Sequence, residues 1–192
     1  SPEAFVTIKE NKITTCPMKG TIVATIPDAE RKILSSAKET AEHITVVDLL
    51  RNDLSMVARN VTVERFRYID TIQSNEGSLL QVSSKITGEL PAGFHAKLGE
   101  IVFSMLPAGS VTGAPKEKTV SIINEAEKSA RGYYTGICGV FDGNNLDSAV
   151  MIRFIEQKNG SLLFRSGGGI TFLSNSLDEY NEMICKVYVP VA

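Results

Sequence analysis

The chain has 192 residues, 43% of them apolar and 22% charged, and a formal net charge of -2. This balance excludes a collagen-like repeat, a disordered tail and a disulfide scaffold. It offers no apolar run of the roughly 18 residues that a membrane span needs, and no basic block that would mark a nucleic-acid partner.

The first residues, Ser1-Pro2-Glu3-Ala4-Phe5, carry no start methionine and none of the features of a signal peptide. They read as the interior of a longer protein. Residues 5–8 form a short strand, paired across a turn with residues 11–16. Pro27-Asp28 opens a helical stretch, since proline suits a first helical turn. Residues 29–58 hold no Pro or Gly and are read as helical through much of their length. Residues 61–71 and 79–88 read as strands. Residues 95–105 form a helix closed by Pro107 and Gly109, and a second helix covers 115–130. Three β-rich runs follow, at 134–141, 148–156 and 161–165. They are split by Asp142-Gly143-Asn144-Asn145 and Asn159-Gly160, which are hairpin turns because Asn and Gly tolerate positive φ. A last helix covers 177–186. Successive hairpins imply antiparallel β-sheets packed with helices, an α+β fold in one unit.

Two carboxylate pairs, Glu39 with Glu42 and Glu179 with Glu182, stand three apart in helical sequence. That spacing puts each pair on one helix face. They are either solvated faces or two halves of a Mg²⁺ site, which hard oxygen ligands suit. Lys19 lies in Cys16-Pro17-Met18-Lys19-Gly20-Thr21. It is either a plain surface lysine or an amine fixed in a non-helical turn among apolar neighbours, where it can act as a nucleophile. The run Arg165-Ser166-Gly167-Gly168-Gly169-Ile170-Thr171 is either a tight turn or a loop whose bare backbone approaches an anion. Residues 107–116 form a second Gly/Pro loop entering a helix. Arg153, in a β-rich run, forms an internal salt bridge, faces outward or meets an anionic ligand. Tyr134 is a packed ring or a hydrogen-bond donor. His43 and His95 are isolated, and the three cysteines (Cys16, Cys138, Cys185) match no zinc spacing and read as reduced thiols of a cytoplasmic protein.

Taken together and in order, these segments resemble the chorismate-utilising enzymes, which include anthranilate, aminodeoxychorismate, isochorismate and salicylate synthases. The matching stretches are residues 1–5, 17–21, 39–53 (ETAEHITVVDLLRND), 81–90, 106–116, 131–139, 149–154 and 167–186. The resemblance implies the C-terminal portion of a chorismate-binding catalytic domain over residues 1–192, with the N-terminal part of that domain absent. It assigns Glu39, Glu42, Glu179 and Glu182 to the Mg²⁺ site. It places Gly20 and Thr21 near the ring carboxylate, and Tyr134, Arg153, Gly167 and Gly169 around the enolpyruvyl carboxylate. Ser110 and Lys186 fall on the substrate side as well.

The lysine at position 19 resembles aminodeoxychorismate synthases rather than anthranilate synthases, which carry alanine there. The implied chemistry is amination of chorismate at C4 through a bond to Lys19, with Glu3 as the proton-transfer acid/base and ammonia supplied by a glutamine amidotransferase subunit. Two departures from the family pattern are Gln81, where a histidine is common, and Ala4, where an arginine is common. An anthranilate synthase component and a catalytically incomplete chorismate-binding fragment are the other readings. A sheet lacking its N-terminal strands also leaves edges through which the chain can self-associate.

Overall fold

The computed structural model describes residues 3–74, 77–172 and 174–187; Ser1 and Pro2 of the opening motif lie outside them. The fold is α+β, with antiparallel sheets and helices against them. β1 (Glu3–Lys9) and β2 (Lys12–Thr15) form the expected hairpin, turned by Glu10 and Asn11 at positive φ. The chain continues into β3 (Met18–Val23). Two long strands, β4 (Arg59–Ser74) and β5 (Gly77–Glu89), make a second hairpin. The free edge of β5 is shared, with β3 opposite its first half and β2 opposite its second. β1 then pairs with β7 (Leu146–Val150), and β7 with β6 (Ile137–Phe141). The turn between β6 and β7 is set by the Asp142 carboxylate, which accepts the backbone N–H groups of Asn144 and Asn145. β8 (Phe154–Lys158) and β9 (Ser161–Arg165) form a separate hairpin.

Three expected elements are divided. Residues 29–58 form two helices, α1 (Ala29–Ser35) and α2 (Ala37–Ser55). Ser36 adopts extended geometry between them, and its hydroxyl accepts the Glu39 N–H as an N-cap. A Ser followed three residues later by Glu carries that signal in sequence. The helix expected at 95–105 begins with a 3-10 turn, Phe94–Lys97, before α3 (Leu98–Ser104). The run 148–156 is broken after Val150, because Arg153 takes a positive φ of 51°. Between α3 and α5 (Lys116–Glu127) the Gly/Pro loop contains one helical turn, α4 (Gly109–Thr112). The C-terminal helix α6 spans Ser176–Cys185, capped by the Asn175 side chain.

The core lies between one face of the large sheet and α2, the 3-10 turn, α3 and α4. Phe5, Val6, Ile8, Ile13, Ile86 and Val150 from the strands meet Val47, Leu50 and Leu54 of α2, with Phe94 and Met105 beneath. Each such side chain contributes about 1.5–3 kcal/mol by leaving water. On α2 the buried residues His43, Val47, Leu50 and Leu54 follow helical spacing, so this stripe fixes which way Glu39 and Glu42 point.

Candidate active site

Lys19 stands on the strand β3 rather than in the fixed, non-helical turn expected for it. Met18 pairs with Ser83 and Thr21 with Gln81, so Lys19 and Gly20 together oppose Val82 alone. This is a β-bulge, and Gly20 supplies it with a φ of 84°. The bulge pushes the chain toward the helices. A Cβ at Gly20 would sit 3.2 Å from Glu39 Oε2 and 3.4 Å from Ile33 Cγ1. Lys19 Nζ lies 3.5 Å from Glu42 Oε2, with 37% of the lysine side chain still exposed. Its setting is therefore acidic and open rather than apolar, because the bulge aims it at the carboxylate face of α2.

The glycine run passes the other side of this amine. A Cβ at Gly169 would stand 3.9 Å from Lys19 Nζ, and one at Gly168 would stand 3.7 Å from Glu179 Oε2. A Cβ at Gly167 would collide with the Tyr134 hydroxyl. The absence of side chains thus lets one segment touch Lys19, α6 and Tyr134 in succession. Ser174 donates to Glu179 Oε1 at 2.7 Å, and Lys186 Nζ pairs with Glu182 Oε1 at 2.6 Å. The Lys186 hydrogen bond holds the Glu182 carboxyl below the usual carboxylate range; the charges of Lys186, Lys19 and Lys38 act in the same direction, against burial. So the amine of Lys19 sits in the field of both acidic helix faces.

Tyr134 forms one wall. Burial pushes its phenol up, opposed by the nearby charges of Arg131 and Arg153. The Arg131 guanidinium lies 5.4 Å from the ring centroid and is tied to Glu127. Arg153 is exposed and makes no ion pair among the described residues. Glu3 pairs in register with Val150, which brings it to the strand end that leads to Arg153. No hydrogen bond or ion pair among the described residues joins Glu3 to Lys19.

Ser110 lies on the single helical turn α4, next to Gly109. α4 is anchored to α2 by Asp53, whose Oδ2 accepts the Gly109 N–H at 3.2 Å and whose Oδ1 pairs with Lys116 at 2.7 Å. Lys116 also donates to Met105 O at 3.1 Å. A Cβ at Gly109 would come within 2.8 Å of Asp53 Oδ2, which explains the glycine. This anchor is about 20 Å along α2 from Glu39. Gly109 of the Gly/Pro loop thus answers to packing against Asp53.

His43 is not isolated, as the sequence suggested. It is 1% exposed, and its Nε2 shares a 2.7 Å hydrogen bond with Ser84 Oγ on β5. Burial lowers its pKa to about 4, helped by the charges of Arg67 and Lys19, so the ring is neutral at pH 7. The signal available in sequence was its place at the head of the buried stripe of α2.

Among the described residues, no group of three or more His, Cys, Asp or Glu side chains is gathered tightly enough to chelate a metal. Mg²⁺ keeps several waters and often uses only one or two carboxylates. Two facing acidic surfaces with hard oxygen donors fit that habit. Glu42 and Glu182 already carry lysine partners, whereas Glu39 and Glu179 each direct one oxygen at the glycines that line the cleft.

A sequence profile described as chorismate binding enzyme matches residues 1–192. The chain belongs to the chorismate-binding enzyme family. It is 60% identical over 191 residues to an uncharacterized PabA-like protein of Pasteurella multocida, covering 100% of this chain and 59% of that protein. It is 35% identical over 196 residues to aminodeoxychorismate synthase component 1 of Bacillus subtilis, covering 98% of this chain and 40% of that one. The crystal structure of anthranilate synthase component I from Streptococcus pneumoniae superposes with a TM-score of 0.82 at 32% identity, over 97% of this chain and 41% of that one. The chain therefore spans about two-fifths to three-fifths of the length of these family members. No helix among the described residues is long and apolar enough to cross a membrane.

Proposed function

We propose that this chain carries the lysine-dependent amination centre of an aminodeoxychorismate synthase. The observation that supports it is the placement of Lys19: a primary amine, one-third exposed, on a bulge between an acidic helix and a glycine loop. In this reading the Lys19 amine bonds to C2 of the chorismate ring while the C4 hydroxyl departs as water, taking up the proton that the amine gives up. Ammonia then bonds to C4, the C2–N bond breaks, and the lysine is regenerated beside 4-amino-4-deoxychorismate. Covalent catalysis of this kind divides one hard displacement into two easier ones.

Chorismate is a dianion, and its capture needs donors and cations. Arg153 and Tyr134 serve the enolpyruvyl carboxylate, assisted by backbone N–H groups at Gly167 and Gly169. Gly20 and Thr21 face the ring carboxylate. Glu39, Glu42, Glu179 and Glu182 would hold Mg²⁺, which supplies positive charge to neutralise and orient that carboxylate. Glu3 acts as the acid/base for the leaving hydroxyl. Ammonia comes from a glutamine amidotransferase subunit, and the free thiols Cys16, Cys138 and Cys185 suit the cytoplasm.

Identity over the whole chain does not separate the two synthases, since both match at similar levels. Product analysis does. With chorismate, Mg²⁺ and ammonia, the protein that contains this chain is expected to yield 4-amino-4-deoxychorismate. Fluorescent anthranilate as the product would overturn this reading in favour of anthranilate synthase chemistry.

A further inference from the structure

The Lys19–Glu42 contact joins a strand to a helix, and both are fastened to one residue of β5. Ser84 is fully buried. Its backbone N–H donates to Pro17 O at 2.9 Å, at the junction two residues before Lys19. Its hydroxyl shares the 2.7 Å hydrogen bond with His43 Nε2, one residue after Glu42 and one helical turn after Glu39. The same oxygen accepts the Arg67 N–H at 2.9 Å. That third bond comes from a bulge of β4, where Phe66 and Arg67 together oppose Ser84. Arg67 in turn donates from Nη2 to Leu34 O at the end of α1. Ser84 is thus the point at which β3, β4 and α2 are referred to one another, directly behind the amine and carboxylate of the cleft.

We infer that Ser84 and His43 are a positioning pair that sets the separation between Lys19 and Glu42. Neither touches the cleft; Ser84 fixes the strand by its main chain and the helix by its side chain. This inference rests on the reading of Lys19 as the nucleophile and Glu42 as a carboxylate of the metal site, but its test uses no chorismate. A hydrophobic residue at either position would keep the fold's general packing while removing the bond that measures the gap.

The test is competitive acylation of lysines at fixed pH, read by peptide mass spectrometry as the rate at Lys19 relative to exposed Lys128. Ser84→Ala is expected to raise that ratio about two- to fivefold, the range that a partly exposed ion pair supports. His43→Leu is expected to do the same, and His43→Gln, whose amide nitrogen can reach the place of Nε2, is expected to restore the original ratio. In a Glu42→Gln background the effect of Ser84→Ala is expected to vanish, because the contact being positioned is already gone. An unchanged ratio in both Ser84→Ala and His43→Leu overturns the inference. So does an equal rise with and without Glu42, which would mean general loosening. If Ser84→Ala does not fold, the two His43 variants decide alone. Loss of the amination reading through product analysis would leave the labelling result standing, so the two failures are distinguishable.

Discussion

Lowering the pH from 7 to 5 is expected to weaken the fold through one side chain, His43. Its ring is buried against Ser84 and neutral, with a pKa of about 4 in the folded chain against 6.5 for the free side chain. The unfolded chain takes up the proton near pH 6.5, and the folded chain resists it until near pH 4. Between those values the unfolded state binds more protons, so stability falls as the pH falls. Each tenfold difference in proton affinity between the two states is worth about 1.4 kcal/mol. The loss is therefore about 2 kcal/mol by pH 5 and approaches about 3 kcal/mol below pH 4. Urea unfolding at pH 7, 6 and 5 measures it, with His43→Gln as the comparison that cannot titrate. The parent is expected to lose about 2 kcal/mol more than the variant over this range. Parallel losses in the two proteins would refute the buried, neutral histidine.

Further outcomes follow from other contacts. Asp53→Ala strands Lys116 and frees the Gly109 N–H, and urea unfolding is expected to show a loss of about 2–3 kcal/mol. Gly167→Ala forces a methyl group onto the Tyr134 hydroxyl. Thermal unfolding is expected to drop, and adding Tyr134→Phe, which removes that hydroxyl, is expected to recover part of the loss. Glu179→Gln removes charge from the oxygen that faces Gly168 and is expected to raise the Mg²⁺ concentration required for activity; an unchanged Mg²⁺ titration would take Glu179 out of the metal site.

Much of the fold was legible because its signals are local. Asn159-Gly160 and the Asp142–Asn145 turn announce their hairpins, and the alternation of apolar residues announces the strands beside them. Ser36 hid within a helical run because its capping role is read only with Glu39 three residues on. The bulge at Lys19-Gly20 was not legible, since a bulge is a property of pairing with β5, more than 60 residues away. The two acidic pairs were visible as i and i+3 spacings, but their meeting across Lys19 and the glycines is tertiary. His43 shows the limit most clearly. Its partner Ser84 lies 41 residues away, and nothing near either residue in the chain announces the bond. The Gly/Pro loop at 107–116 left open in sequence whether it is punctuation or an anion site, and the reason for its Gly109, the Asp53 carboxylate, is a tertiary contact.

Covalent chemistry at Lys19 is tested most directly by mass spectrometry of the protein incubated with chorismate and Mg²⁺ in the absence of ammonia. The expected result is a mass increase equal to chorismate less one water, mapped by peptide analysis to Lys19, and its disappearance on adding ammonia. Turnover of chorismate with no such bond to Lys19, or an identical adduct in Lys19→Ala, would contradict a nucleophilic lysine.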